Sequence, residues 1–127
     1  VVIGLAAGVV CFWACTWLKE RLKYDDSLDV FGIHGIGGIL GTVLTGVFAV
    51  GAFTVTKELP LGQQGLLEGN AGQVLTQVIG VGICFVWCAI ATYVILKVVD
   101  LLVGLRVSLD HERMGLDITQ HGESVHT

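Results

Sequence analysis

Three long apolar runs, separated by two short polar segments, make up most of the chain. The first covers Val1 to Leu18, the second Val30 to Thr56 and the third Ala71 to Leu96, and His34 is the only histidine in any of them. About 20 helical residues at about 1.5 Å each cross the hydrocarbon core of a bilayer. None of the runs shows the strict alternation of a barrel strand. The pattern predicts an all-α membrane protein with three transmembrane helices.

Basic residues in the connecting segments predict the orientation of these helices. The first connection contains Lys19, Arg21 and Lys23, whereas the second contains only Lys57. Short loops rich in lysine and arginine stay on the cytoplasmic side. We therefore expect a multi-pass protein of the plasma (inner) membrane with a cytoplasmic C-terminus. The predicted segments are transmembrane helices over 1–18, 29–53 and 71–99, a cytoplasmic loop over 19–28, an exoplasmic loop over 54–70 and a cytoplasmic tail over 100–127.

Composition agrees with a lipid-embedded protein. Hydrophobic residues account for 54% of the chain and charged residues for 14%, against about 25% charged in soluble domains. The formal net charge of −4 gives no basic stripe, so nucleic acid is not an expected partner. The chain opens on Val1, inside an apolar run and without a signal-peptide pattern. We expect a fragment of a longer protein.

His34 is the main candidate for chemistry. A polar side chain in lipid is costly unless it faces protein or a wet cavity, and such residues often mark substrate, ion or proton pathways. The alternative is a packing role, in which the imidazole bonds a carbonyl of a neighbouring helix. Both interpretations place His34 on a protected face of its helix.

Small residues recur on the helix that carries His34. One row contains Gly37, Gly41 and Thr45, and a second contains Gly38, Thr42 and Gly46. Small residues every four positions let helix backbones approach closely in membranes. His34 precedes Gly38 by one turn, so its stripe is free of bulky side chains. We expect either close helix packing or a narrow passage along that stripe, with packing roles for Gly37, Gly38, Gly41 and Gly46.

Capping residues are predicted at both helix starts. Asp29 is expected to cap the second helix and to complement its dipole, with an alternative role in a pore entrance. Asn70 and Gln73 have the spacing of a reciprocal cap for the third helix. Pro60 suits an irregular connection between them.

Other motifs carry less information. The glycine-rich stretch from Gly35 to Gly41 resembles a dinucleotide-binding fingerprint but lacks the strand that such a site requires. The four cysteines lie one turn apart in two pairs, in apolar segments where thiols behave as small hydrophobes. We expect no metal, no cofactor and no enzymatic activity.

The segment from Asp29 to Gly41, continuing through Thr45 to Ala49, closely resembles the tenth transmembrane helix of the Amt/Mep/Rh ammonium transporters. The tail resembles the cytoplasmic C-terminal segment of the same family. The resemblance covers essentially the whole chain. It implies that the three spans are the last three helices of an eleven-helix bundle, in a subunit of a homotrimer with ammonium or ammonia as the substrate.

The resemblance also assigns residues. His34 is implied to be the second of two pore histidines, which accept or relay a proton and pass the neutral base. Val30 and Phe31 are implied to lie on the cytoplasmic side of the substrate pathway, and Asp29 at its vestibule. In the tail, a regulatory segment is implied, with a PII-type signalling protein as partner. Thr119 is a candidate phosphorylation point there, because a phosphate beside Asp117 would repel that carboxylate and undock the tail. The tail residues concerned are Arg106, Gly115, Asp117, Thr119, His121 and Gly122.

A rival hypothesis treats the chain as the membrane anchor of a redox complex, with His34 as a haem ligand. Haem sites in membranes usually need two axial side chains, and the apolar runs supply a single histidine. A purely structural three-helix module is a further alternative.

Overall fold

The computed structural model describes residues 1–59 and 62–123, and all the regular secondary structure in these residues is helical. Three helices are long and apolar enough to cross a membrane: α1 (Val2–Leu22), α2 (Phe31–Phe48) and α3 (Gly72–Leu102). The predicted all-α architecture with three spans is therefore confirmed. Residues 60–61 and 124–127, which include Pro60 and the end of the tail, lie outside the described part of the chain.

The chain divides into two compact units, Val1–Phe85 and Val86–Thr127. The first unit contains α1, α2, their loops and the first part of α3. The second contains the remainder of α3, a short helix α4 (Leu109–Met114) and a π-helical turn over Asp117–His121. Large apolar side chains are exposed along α1 and α3. Such continuous apolar surface suits lipid or further helices.

Helix α1 extends past the predicted end at residue 18, through a π-helical stretch over Ala14–Leu18 and a final α-helical turn over Lys19–Leu22. Long basic side chains can lie along apolar surface while their charged ends stay in polar surroundings. Arg21 does this: its guanidinium lies 5.3 Å from the centre of the Trp17 ring. The helix stops because Lys23 adopts the left-handed conformation, with φ of 51°.

Asp26, and not Asp29, caps the start of α2. Its two carboxylate oxygens accept the backbone N–H groups of Val30 at 2.9 Å and Phe31 at 2.8 Å. The capping role predicted for Asp29 is wrong, because its carboxylate is bonded to Lys19 at 2.6 Å instead. The backbone of Asp29 still starts the helix, since its carbonyl accepts the N–H of Ile33 at 3.0 Å.

Helix α2 ends at Phe48 rather than at residue 53, because Ala49 leaves the helical region with ψ of 132°. The loop that follows is tied back to this point. The Gly65 N–H donates to the Ala49 carbonyl at 2.9 Å, and the Gly51 N–H donates to the Glu68 carboxylate at 2.7 Å. These bonds hold the described ends of the connection close to the end of α2.

The predicted reciprocal cap between Asn70 and Gln73 does not form. The Asn70 amide donates to the Gln64 carbonyl at 3.1 Å, and the buried Gln73 accepts from the Gln63 amide at 2.6 Å. Both side chains therefore bind the preceding loop to the start of α3. Helix α3 then runs for 31 residues, or about 46 Å, which is longer than the hydrocarbon core of a bilayer.

Candidate functional site

His34 lies in a π-helical stretch of α2 over Phe31–Ile36. Its side chain is exposed, and its imidazole has no hydrogen-bond partner among residues 1–59 and 62–123. The packing role considered from the sequence, in which His34 bonds a neighbouring carbonyl, is therefore not realised by the described residues. Single π-helical turns inside α-helices are rare overall, but those that occur are often found at functional sites.

The side of α2 that contacts α1 is made by two glycines. A Cβ atom at Gly32, which is buried, would lie 2.5 Å from Cys15 Sγ, and one at Gly37 would lie 2.9 Å from Cys11 Sγ. At Gly32 the Cys15 backbone is also close, with its nitrogen 3.2 Å and its Cα 3.4 Å from the Cβ position, so the helices approach most closely there. The packing role predicted for Gly37 is present here, and Gly32 was missed.

Gly38 and Gly41 lie on a different part of α2. A Cβ atom at either position would meet no atom of the described residues within 4 Å. The packing role of these two glycines therefore stays a prediction. Gly46 does pack closely, since its Cβ would lie 2.9 Å from Gln77 Cγ and 3.0 Å from Val74 Cα of α3. The stripe of His34 and Gly38 is therefore not covered by the residues that the structure describes.

The two thiols of α1 also reach backbone carbonyls of the segment that carries His34. Cys11 Sγ lies 3.9 Å from the carbonyl oxygen of Ile33, and Cys15 Sγ lies 4.0 Å from that of Asp29. Thiols are weak donors, so each contact adds little by itself. Together they show that these cysteines face α2, which treatment as small hydrophobes did not foresee.

Val30 and Phe31 stand at the start of α2 and are both exposed, with 51% and 43% of their surface accessible. The Phe31 ring meets Tyr24 edge-on, with ring centroids 5.6 Å apart. The same ring lies over Gly35, where a Cβ would be 2.9 Å from Phe31 Cδ2. The absence of a side chain at Gly35 therefore permits this orientation of Phe31.

Tyr24 connects this aromatic contact to the acidic loop between α1 and α2. Its partial burial, with a further contribution from the negative charge of Asp26, raises the pKa of the phenol above its ordinary value. The folded state thus favours the neutral phenol, and this preference becomes a cost only as the pH rises through and above the ordinary tyrosine range.

The tail forms local structure in the second unit. Arg106 makes a two-bond contact with the Glu112 carboxylate, at 2.9 Å and 3.2 Å, and Ser108 caps α4. The Thr119 hydroxyl donates to the Gly115 carbonyl at 2.9 Å. Gly115 and Gly122 have φ of 98° and 66°, and so end α4 and the π-helical turn in conformations that favour glycine. Asp117 and His121 bound that turn.

Among the residues that the structure describes, no group of three or more histidine, cysteine or acidic side chains could hold a metal ion. The geometry instead defines a helical integral membrane protein. It has a close helix pair and, elsewhere on the second helix, a stripe of His34 and Gly38 that the described residues leave uncovered.

The chain belongs to the Ammonium Transporter Family, whose model matches residues 1–126. An ammonium transporter of Bacillus subtilis strain 168 is 40% identical over 126 residues, which cover 99% of this chain and 30% of the relative. An ammonium transporter of Aquifex aeolicus strain VF5 is 46% identical over 127 residues, with 98% and 27% covered. Ammonium transporter Amt1 of Archaeoglobus fulgidus is 41% identical over 127 residues, with 100% and 30% covered.

The chain therefore spans less than a third of the length of these relatives. The resemblance noted in the sequence is confirmed. Membership of this family does not support the haem-bearing anchor that the sequence left open.

Proposed function

We propose that this chain forms part of an ammonium transporter and that His34 lines its substrate pathway. The observation that carries the proposal is the position of His34. Its imidazole is exposed and lacks a hydrogen-bond partner in the described residues, on a helix whose Gly32 and Gly37 are packed against α1. A passage beside this stripe would give the polar ring the protected surroundings that a membrane interior requires.

The chemistry of imidazole suits proton exchange with a small nitrogen base. One ring nitrogen of a neutral imidazole accepts a hydrogen bond, and the other donates one. Ammonium and potassium ions are close in size, so a pore that sieves by radius separates them poorly. Only ammonium can give up a proton and continue as a neutral base. Selectivity then follows from deprotonation, with His34 and a second histidine elsewhere in the full protein accepting or relaying the proton.

The start of α2 supplies the cytoplasmic end of the proposed pathway. Val30 and Phe31 are exposed there, and Asp29 lies beside them as part of a vestibule. His34 follows Asp29 by five residues, or about 7.5 Å along a helix. A histidine deep in the membrane thus requires the start of α2 to be recessed below the headgroups.

The wider assembly is also a proposal. We infer a homotrimer in the plasma (inner) membrane, with the tail on the cytoplasmic side and with a PII-type signalling protein as a possible regulator. The basic residues of the first loop support this orientation. The local structure of the tail, with its Arg106–Glu112 contact and its glycine-ended turns, gives it a defined surface for such contacts.

Vesicles that contain the full-length protein test the proposed transport. We expect uptake of labelled methylammonium well above that of vesicles without protein, and competition by ammonium but not by potassium. Uptake equal to that of empty vesicles, with the protein folded and correctly inserted, would contradict the proposal.

Substitution of Thr119 by aspartate, which mimics phosphorylation, is expected to loosen the tail. Aspartate cannot donate to the Gly115 carbonyl, and its charge stands two residues from Asp117. Loss of one hydrogen bond of about 1 kcal/mol corresponds to about fivefold faster protease cleavage within the tail. Thr119→Ser keeps the donor and serves as the control. Equal cleavage rates with unaltered transport in both variants would count against a regulatory role.

A further inference from the structure

One ion pair joins the end of α1 to Asp29, which lies two residues before α2. Lys19 Nζ lies 2.6 Å from Asp29 Oδ1, and the two side chains are only 28% and 37% exposed. A charge-assisted bond of this kind is directional and shorter than an ordinary hydrogen bond. Its partial burial also protects it from screening by salt.

Asp29 has an unusual backbone conformation. Its φ of 56° is left-handed, which residues other than glycine seldom adopt, although aspartate and asparagine tolerate it better than most. Neighbouring bonds hold it there: its N–H donates to the Asp26 carbonyl at 3.3 Å and its carbonyl accepts from Ile33 at 3.0 Å. The side chain is then fixed by Lys19, so the whole residue is constrained.

The other contacts between α1 and α2 are less directional. Gly32 and Gly37 meet the side chains of Cys15 and Cys11 through van der Waals contact, and the thiols add only weak hydrogen bonds. Van der Waals contacts and weak thiol hydrogen bonds bring the two helices together. Because they are not strongly directional, they set the relative depth and rotation of the helices only loosely. The ion pair with Lys19, in contrast, fixes the position of Asp29, which lies five residues before His34.

We propose that Lys19 is a positioning residue, which holds the start of α2 through Asp29 and thereby sets the depth and rotation of His34. The inference rests on the proposed function, because it gives the placement of His34 a role in transport. Lys19 itself does not contact the substrate. Misplacement of a reacting group by about 1 Å can reduce a rate by up to about 100-fold.

The test compares four variants of the full-length protein at matched membrane levels. Lys19→Met removes the cation, Lys19→Arg keeps it, and Asp29→Asn removes the partner charge while keeping a residue suited to positive φ. Lys23→Met removes an exposed basic residue just after α1. It controls for any effect that the loss of a basic residue has on membrane topology. We expect Lys19→Met and Asp29→Asn to lower maximal methylammonium flux at least about fivefold with KM unchanged. Lys19→Arg and Lys23→Met should transport normally.

A structure of the Lys19→Met protein gives a second readout that does not use transport. We expect the His34 imidazole to be displaced by about 1 Å or more relative to α1. An undisplaced imidazole in Lys19→Met would overturn the inference, as would normal flux in Lys19→Met when His34→Ala impairs transport, or loss of the protein from the membrane in both pair variants. If the imidazole moves but flux depends on neither Lys19 nor His34, the positioning stands and the proposed function of His34 fails.

Discussion

Replacing Gly32 by valine is expected to destabilise the full-length protein. A Cβ at this position would lie 2.5 Å from Cys15 Sγ, 3.2 Å from the Cys15 nitrogen and 3.4 Å from its Cα. The sulfur could rotate away, but the backbone atoms cannot move without separating the helices. Overpacking of this kind costs about 1–3 kcal/mol. Valine improves helix propensity over glycine by less than about 1 kcal/mol, so the clash wins.

The thermal unfolding midpoint of the purified protein in detergent measures this effect. Gly38→Val is the matched control, because no atom of the described residues lies within 4 Å of a Cβ at Gly38. We expect Gly32→Val to lower the midpoint by several degrees and Gly38→Val to leave it nearly unchanged. Gly38→Val should instead reduce methylammonium flux, because its side chain would enter the proposed passage. Equal midpoints for the two variants would contradict the close contact of α1 and α2.

Substitution of His34 has the largest expected effect on transport. Alanine removes both ring nitrogens and with them the acceptor and donor proposed to handle the substrate proton. Positioned acids and bases commonly contribute about 100-fold or more, and we expect at least about tenfold loss of ammonium-dependent flux in His34→Ala. His34→Glu keeps a proton acceptor, so its flux should fall less than that of the alanine variant.

Methylammonium flux and membrane current should be recorded together in vesicles of matched protein content. Both His34 variants are expected to discriminate less well against potassium, because the step that only ammonium can perform is impaired. His111, which lies in α4 of the tail, offers a matched control through His111→Ala. Unchanged flux, current and ion discrimination in both His34 variants would remove the proposed role.

Much of the architecture could be predicted from the sequence. The lengths of the apolar runs located all three spans, because the thickness of a bilayer constrains such helices strongly. Their ends were less accurate. Helix α2 was expected to reach residue 53, but the chain leaves the helical conformation at Ala49. There the Gly51 N–H donates to Glu68 and the Gly65 N–H donates to the Ala49 carbonyl. Those bonds join residues up to 17 positions apart, and no local pattern encodes them.

The glycine contacts show why the site was only partly predictable. An α-helix places residues four apart on one side, which singled out Gly37 and Gly41. The stretch Phe31–Ile36 is π-helical, so the glycines that meet α1 are Gly32 and Gly37, five residues apart. A change in helix type cannot be recognised from composition. The surface of α1 that faces these glycines carries the cysteines at positions 11 and 15.

Acidic residues before α2 give a similar lesson. Asp25, Asp26 and Asp29 all precede the helix, and sequence position favoured the nearest one as the cap. In the structure Lys19 attracts Asp29, which leaves the cap to Asp26. The choice between equivalent carboxylates is made by a tertiary partner ten residues away, and so lies beyond local sequence rules.

The most direct test of the account is a structure of the full-length protein that resolves the surroundings of His34. We predict that the imidazole borders a continuous passage, that Gly38 lies on the same wall, and that Gly32 stays against α1 on the opposite side of the helix. An imidazole directed at acyl chains, or enclosed by packed side chains with no passage beside it, would contradict the account.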